Sequence, residues 1–318
     1  MMAGNTYARH ARSRISSRAT VHSVLIFIIS QTTNLHTSHS YSHMRTARFL
    51  LLSAILLISI LGAGCLHEQK TEAANHEVML AILENAAAAI QGALDGLDKA
   101  ALETATSLEK TGISGEDAES VLKVGTSSHP LILTMITFDA NGTVLAAEPE
   151  SVKGLVGQDL SGQEVVQRAL AEKLPVMSGM FPLAEGGSGV VVEHPVMSAD
   201  GKFLGVISTM FSPYDLIRPV AEDAANGTPY TLMVIETGGH ILYDPDPFEV
   251  GKETFGDALY AQFPEIDRVA RHAAANRSGY DTYSFYGTGS GAVVRKETFW
   301  STVGLHGTEW RVMVIGEE

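Results

Sequence analysis

The chain has 318 residues, of which 45% are hydrophobic and 18% charged, so it can bury a core of one large or two modest domains and is not a disordered chain. Its charge is uneven: residues 1–65 contain six Arg and no acidic residue, and the remainder carries all 36 acidic residues against 16 Lys and Arg. An acidic surface repels nucleic acid, which argues against a nucleic-acid-binding function.

The N-terminal region contains the pattern of an export signal. A basic stretch beginning at Met44 leads into the apolar run Phe49–Leu61, and small residues precede Cys65, the only cysteine. This order is typical of a signal peptide with a small-residue cleavage site. The cysteine context resembles a lipobox, so we predict lipidation of Cys65, although Gly62 stands where a lipobox usually has leucine. The alternative is a retained membrane helix. Either anchor holds the protein on the extracytoplasmic face of the membrane.

Residues 1–43 precede this complete signal and are rich in Ser, Thr, His and Arg. Because an export signal acts at the N-terminus, we predict that synthesis begins at Met44 and that residues 1–43 are a misassigned start. The alternative is a short cytoplasmic tail.

A long amphipathic helix is predicted over residues 76–110, within a segment (66–130) that joins the anchor to the rest of the chain. Its apolar residues recur three or four positions apart, as on one face of a helix. At about 1.5 Å per residue this helix is roughly 50 Å long, the height of two small domains. Gly112 and Ser114 then indicate a helix end and a new helix start.

The sequence that follows repeats one plan twice, over residues 131–227 and 228–318. Each copy reads as a strand, a tight turn, a return strand, a helix and further strands. The turns are Asn141-Gly142 in the first copy and Gly238-Gly239 in the second. The predicted helices are 161–173, 213–225 and 265–276, and the predicted strands are 131–139, 143–147, 176–181, 189–195, 203–211, 231–236, 240–243, 280–286, 292–298 and 308–315. The repeat predicts two α+β units behind one shared helix.

The second copy carries the more specific residues: Asp244-Pro-Asp-Pro247, Val250–Phe255, Tyr260 and the closing segment Trp300–Trp310. Together with the repeated plan, they resemble the double-Cache (tandem PAS-like) extracellular sensor domains, in an archaeal, lipoprotein-like variety. The resemblance covers residues 75–318. It implies an α+β fold in which a long N-terminal helix supports a membrane-distal and a membrane-proximal antiparallel-sheet unit. It also implies a ligand-binding sensor without enzymatic activity.

In such sensors the ligand is usually held in the distal unit, which here is residues 131–227. Amino-acid-binding members place a Tyr, an Arg and a Trp around the helix-bearing loop and an Asp in the last strand. Only Arg168 matches this set, and Met210 occupies the Asp position, which counts against amino-acid recognition. The predicted ligand-binding residues are Arg168, Ser178, Met180, His194, Ser208 and Thr209. Arg168 suits a carboxylate, so an organic acid is the expected ligand.

The corresponding loop of the second copy carries Phe248, Phe255 and Tyr260, which we expect to fill the space there. The sequence shows no Walker A loop, no G-x-S-x-G elbow and no cysteine pair, so no enzyme and no cofactor are expected. None of the seven histidines after Cys65 pairs with another at metal-ligand spacing, and the prolines beside Asp244 and Asp246 favour a rigid turn, so no metal is expected. Sequons at Asn141, Asn226 and Asn276 are candidate glycosylation sites in predicted turns or at a helix end.

The given sequence ends at Glu318, directly after the last predicted strand. A sensor of this kind is expected to pass its ligand or its conformation to a signalling or transport partner in the membrane. The competing hypothesis from another class is a structural or adhesive surface lipoprotein without a ligand pocket.

Overall fold

A computed structural model of the chain describes residues 41–182, 188–256 and 258–317, with side chains from residue 71 onward except that of Leu259. The internal contacts of the chain divide it between Lys70 and Thr71. The unit Thr71–Glu318 contains both sheets. The predictions for residues 1–43 and for lipidation of Cys65 fall outside the described side chains.

The long helix, α1, spans Tyr41–Thr111. From Met79 onward its buried side chains recur every three or four residues, so the apolar stripe predicted from the sequence is the face that packs against the protein core. These buried residues are Met79, Leu83, Ala86, Ile90, Leu94, Leu97, Ala101, Ala105 and Leu108. Within the described residues, Thr71–Thr111 is also long and apolar enough, by length and composition alone, to cross a membrane.

The first sheet follows α1 and a second helix. Its strands run in the order β2-β1-β6-β5-β3, with β4 paired to β5, and neighbouring strands are antiparallel. The elements are α2 Gly115–Ser128, β1 Ile132–Asp139, β2 Val144–Glu148, a 3-10 turn Glu150–Leu155, α3 Glu164–Glu172, β3 Val176–Met177, β4 Phe181–Pro182, β5 Ser188–Met197, β6 Phe203–Phe211 and α4 Pro213–Ala225. We call residues 131–227 the first-sheet unit.

The second sheet has the order β8-β7-β11-β10-β9 and is also antiparallel. Its elements are β7 Thr231–Glu236, β8 Ile241–Tyr243, a 3-10 turn Ala258–Tyr260, α5 Pro264–Ala275, β9 Gly279–Tyr286, β10 Val293–Leu305 and β11 Thr308–Glu317. We call residues 228–318 the second-sheet unit. The long helix and the two antiparallel sheets confirm the predicted α+β fold class.

Because successive side chains of a strand point to opposite sides, each sheet packs against other elements on both faces. On β11, Val312 and Val314 join the core that contains α1, whereas Met313 joins a separate cluster with α5. The second sheet therefore lies between α1 and α5. In the first-sheet unit, Phe138 packs with α3 while Met135 belongs to the core with α1, which is the same arrangement.

Candidate ligand site

A cavity of about 580 Å³ lies between the second sheet and α5. Its walls are mostly apolar side chains from the α5-facing side of the strands and from α5 itself: Met233, Ile235, Ile241, Val269, Phe285 and Met313. Its volume falls in the range of small-molecule sites, which are typically apolar with a few converging polar groups.

Four charged residues line this cavity: Asp244, Asp246, Glu249 and Lys296. The Asp244 carboxylate accepts a 2.8 Å hydrogen bond from the backbone N–H of Asp246. The Tyr260 hydroxyl donates to Glu249. The Lys296 ammonium is largely buried and lies 3.5 Å from the Glu317 carboxylate. The lining therefore carries three carboxylates and one ammonium.

The loop that carries these carboxylates is held at both ends. The backbone N–H of Gly251 donates to the carbonyl of Ile241, and the Ile241 N–H donates to the carbonyl of Lys252. Pro245 and Pro247 restrict the backbone between those points. These bonds and prolines restrict the backbone of the loop that places Asp244 in the cavity wall.

Burial is the main cause that raises the pKa of Asp244 to about 6; the charges of Glu249 and Asp246 also raise it, and the hydrogen bond from the Asp246 N–H and the charge of Lys296 lower it. Burial also raises the pKa of the Tyr283 hydroxyl, which lines the same cavity. Asp244 therefore changes charge near neutral pH, where an ordinary aspartate is fully ionised.

The bulky residues of this loop do not fill the space, contrary to the prediction. Phe248 points outward and is 82% exposed. Phe255 packs under the Arg271 guanidinium, 4.6 Å from its ring centre, and against Gly239. Tyr260 forms part of the cavity wall. The direction of each side chain, rather than its size, leaves the cavity open.

The six residues predicted to bind ligand lie elsewhere, in the first-sheet unit, and none of them lines this cavity. The Ser178 hydroxyl accepts a hydrogen bond from the Val191 N–H, and the Met180 N–H donates to Glu236. Arg168 lies on α3, 4.0 Å from Glu172.

The predicted residues also divide between the two faces of the first sheet. Ser208 pairs in register with Glu193, on the face toward α3. His194 and Thr209 lie on the opposite face, toward α1, where the His194 ring contacts Asp98. The fold therefore does not bring all six side chains to one point.

A buried carboxylate in the first-sheet unit was missed from the sequence. Glu193, on β5, is 1% exposed, and burial raises its pKa to about 8 against the opposing effects of the Ser208 hydrogen bond and the Arg168 charge. Among the described residues its Oε2 has no hydrogen-bond partner. The available signal was a single Glu at the end of the apolar run Val190–Val192.

Two histidines that no sequence spacing pairs lie beside one aspartate in the structure. Asp98 Oδ1 lies 2.8 Å from Nε2 of His194 and 2.6 Å from Nε2 of His306. The three residues come from α1, β5 and the turn between β10 and β11. They are brought together by the fold and are far apart in the sequence.

The three sequon asparagines are exposed. Asn141 hydrogen-bonds to Asp139 within the β1–β2 turn. Asn226 is the C-cap of α4, and Asn276 is the C-cap of α5 and donates to the His272 carbonyl. Their glycosylation stays a prediction.

Comparisons with known proteins identify the fold. Residues 92–213 match the family described as HK/GC/Chemotaxis protein-like, sensor domain. An extracellular ligand-binding receptor from Desulfohalobium retbaense superposes with a TM-score of 0.61 at 26% identity, over 74% of this chain and 39% of that one. The chain thus spans about two fifths of that receptor. A search of curated proteins found no match.

Two further solved structures share the architecture at lower identity. The ligand-binding domain of the Pseudomonas aeruginosa chemoreceptor PctC, in complex with GABA, has a TM-score of 0.53 at 20% identity and covers 77% of this chain and 99% of its own. The periplasmic sensory domain of the Campylobacter jejuni chemoreceptor Tlp1 has a TM-score of 0.53 at 12% identity, over 76% and 94%. The chain therefore has the fold of chemoreceptor ligand-binding domains, and residues 92–213 match a sensor-domain family of the same type.

Proposed function

We propose that this chain is an extracytoplasmic sensor that binds a small organic amine in the cavity of the second-sheet unit and passes the bound state to a membrane partner. The observation that carries this proposal is the lining of that cavity, which sets three carboxylates and one ammonium against an apolar wall. A structural or adhesive role without a ligand leaves these charges beside an apolar cavity unexplained.

The charges favour a cationic ligand over the organic acid expected through Arg168. Asp244 and Glu249 offer carboxylate oxygens to an ammonium group, and charge-assisted hydrogen bonds of this kind are among the stronger ones in proteins. Tyr260, Tyr283 and Phe285 add aromatic faces, which attract cations. The apolar wall fits a ligand whose amine is attached to a hydrocarbon or aromatic group.

The second sheet contacts both this cavity and α1, so it can transmit a change in the cavity to the helix. Met313 of β11 lines the cavity, while its neighbours Val312 and Val314 pack in the core with α1. On β10, Glu297 bonds His76 of α1 at 2.7 Å, and the Gly304 N–H donates to the Gln91 side chain at 2.9 Å. A ligand that favours one position of the strands therefore favours one position of α1, which is a shift between two populated states.

The anchor belongs to the same proposal. Cys65 carries the lipid, or the apolar run before it is retained as a helix, and the sensing unit lies outside the cytoplasm. The fold shared with a periplasmic sensory domain and with an extracellular receptor supports this location.

The test is a thermal-shift and calorimetric screen of the full chain in detergent, with matched pairs such as phenylethylamine and phenylpropionate. A ligand that binds only the folded state raises the melting temperature. We expect amines to bind and their carboxylate counterparts not to bind. Asp244→Asn should weaken amine binding tenfold or more, as expected for losing one charge-assisted bond of about 1.5–3 kcal/mol.

Two controls locate the site. Asp223→Asn, on the exposed side of α4, should leave the affinity unchanged. Arg168→Ala reports on the first-sheet unit and should also leave it unchanged. A tenfold loss in Arg168→Ala with none in Asp244→Asn would instead place the ligand where the sequence alone had suggested. Binding by neither amines nor acids would favour the structural role.

A further inference from the structure

Asp98, His194 and His306 form a three-residue cluster at the junction of α1 with both sheets. The Nε2 atoms of the two histidines both point at Oδ1 of Asp98, at 2.8 and 2.6 Å. The potential ligand atoms of all three residues lie within 4.8 Å of one another. The two imidazole rings are edge to face, with centroids 5.6 Å apart, so neither ring blocks the other's Nε2.

The cluster is buried at His194 and partly exposed to solvent at His306 and Asp98. The His194 side chain is 3% exposed, whereas those of His306 and Asp98 are 21% and 23% exposed. His306 is held at the β10–β11 turn with φ +49°, next to Gly307 with φ +87°. This left-handed pair is typical of a tight hairpin turn, and it turns the His306 ring toward α1.

We propose that Asp98, His194 and His306 bind a divalent transition-metal ion, with Zn²⁺ the best fit. Two neutral imidazole nitrogens and one carboxylate oxygen suit zinc, whereas calcium and magnesium require oxygen ligands. Three protein ligands leave a fourth position, which faces the exposed side and takes water. The ion binds the neutral tautomers that carry their single ring proton on Nδ1, so that each Nε2 lone pair replaces its hydrogen bond to Asp98 with a bond to the ion.

The geometry requires a small adjustment. Tetrahedral zinc with bonds of about 2.0–2.1 Å sets its ligand atoms about 3.3 Å apart. From 2.8 and 2.6 Å, the nitrogens of His194 and His306 therefore need to move back from Asp98 by about 0.5 and 0.7 Å. His306 lies on a turn and is partly exposed, so side-chain rotation can provide this movement.

Metal binding here joins three elements through one shared ion, in addition to the packing and hydrogen bonds that already connect them. Asp98 belongs to α1, His194 to the first-sheet unit and His306 to the second-sheet unit. An ion at this point fixes the helix against both sheets at once. This role is separate from the amine cavity, since none of the three residues lines it.

The test is calorimetric titration of the metal-free full chain with Zn²⁺, with Mg²⁺ and Ca²⁺ in parallel. Histidines near the N-terminus, such as His36, His39 and His43, can also bind zinc, so the reading is the difference between the wild-type chain and its variants. We expect one Zn²⁺ equivalent that weakens at least a hundredfold in Asp98→Asn, His194→Gln and His306→Gln. His272→Gln is the control, because His272 bonds a single aspartate, Asp281, at 2.8 Å.

Two further readings keep the proposal open to refutation. Zinc should raise the melting temperature of the wild type and not of His306→Gln, whose turn position is the least disruptive of the three. Cobalt substitution should give the visible absorption of a tetrahedral ion in the wild type and in His272→Gln only. Zinc binding that is equal in the wild type and in His306→Gln, or no binding in either, would show that the cluster is a hydrogen-bonded contact without a metal.

Discussion

The backbone N–H of Met180 donates a 2.7 Å hydrogen bond to Oε1 of Glu236, which joins the segment between β3 and β4 of the first sheet to the end of β7 in the second. A second bond joins the sheets nearby: the Thr308 hydroxyl, at the start of β11, donates to the carbonyl of Met177, at the end of β3, at 2.7 Å. Glu236 is 8% exposed, and burial raises its pKa. The segment 177–180 is therefore a direct polar link between the two sheets.

Removing this link should destabilise the protein. Glu236→Ala leaves the partly buried Met180 N–H without its acceptor, and an unsatisfied donor costs about 1–3 kcal/mol when buried, so a cost at the lower end of this range is expected here. We expect the free energy of unfolding to fall by that amount in urea titrations. Glu236→Gln keeps an oxygen acceptor and should lose less. Glu253→Ala, which removes a 44% exposed carboxylate that also contacts His240, is the control. Equal stability in Glu236→Ala and the control would show that packing alone joins the sheets.

The fold was predictable because its signals are local. Strand alternation and turn residues gave β6, α4 and β7 the bounds that the structure shows, 203–211, 213–225 and 231–236. The predicted strand 176–181 is instead two short strands, because the backbone of Gly179 and Met180 leaves the sheet to meet Glu236. That departure depends on a partner 56 residues away in the sequence, which no local pattern contains.

The sites were less predictable because their residues come from distant parts of the sequence. The cluster at Asp98 joins residues separated by 96 and 208 positions, so motif spacing cannot detect it. The cavity depends on loop side chains such as Phe248, whose direction is not set by the period of a strand or helix. The sequence suggests one pocket for His194 and Ser208, but the structure places them on opposite faces of the first sheet.

Amine binding should depend on the ionisation of Asp244. Because burial raises its pKa to about 6, the carboxylate is mostly neutral at pH 5 and charged at pH 7. We expect the affinity for an amine to increase between pH 5 and 7 and then to level off. Calorimetry at four pH values measures it. In Asp244→Asn the affinity should be low and flat over this range. An affinity that does not change with pH in the wild type would exclude Asp244 as the ligand's partner.

The same shift predicts the pH dependence of stability without ligand. A carboxyl whose pKa is raised by folding favours the native state while it is protonated, so this contribution is present near pH 4 and is lost as pH rises through about 6. The loss should be about 2 kcal/mol. Asp244→Asn should remove this part of the slope in urea titrations between pH 4 and 7. An unchanged slope in the variant would assign it to other carboxyl groups.

Gly205 on β6 should not tolerate a side chain. A Cβ at this position would lie 2.1 Å from the Phe138 carbonyl oxygen and 2.7 Å from Cδ1 of Ile113. Because the first contact is with backbone, Gly205→Ala must displace β1 from β6, and we expect a loss of about 3 kcal/mol in the free energy of unfolding. Gly162→Ala is the matched control, since a Cβ there meets nothing within 4 Å. A Gly205→Ala protein as stable as the control would show that β1 and β6 lie farther apart.

The last prediction concerns cleavage before Cys65 and lipidation of that residue. If the chain is cleaved before Cys65 and lipidated, the intact mass of the native protein should equal that of residues 65–318 plus lipid. Cys65→Ser should abolish the added mass and release the protein from the membrane fraction, because a chain without its acyl groups has lost the hydrophobic surface that holds it there. Ser53→Ala, within the apolar run, should change neither the mass of the mature protein nor its membrane association. A native species that still contains Phe49–Gly64 would replace the lipid anchor with a retained helix.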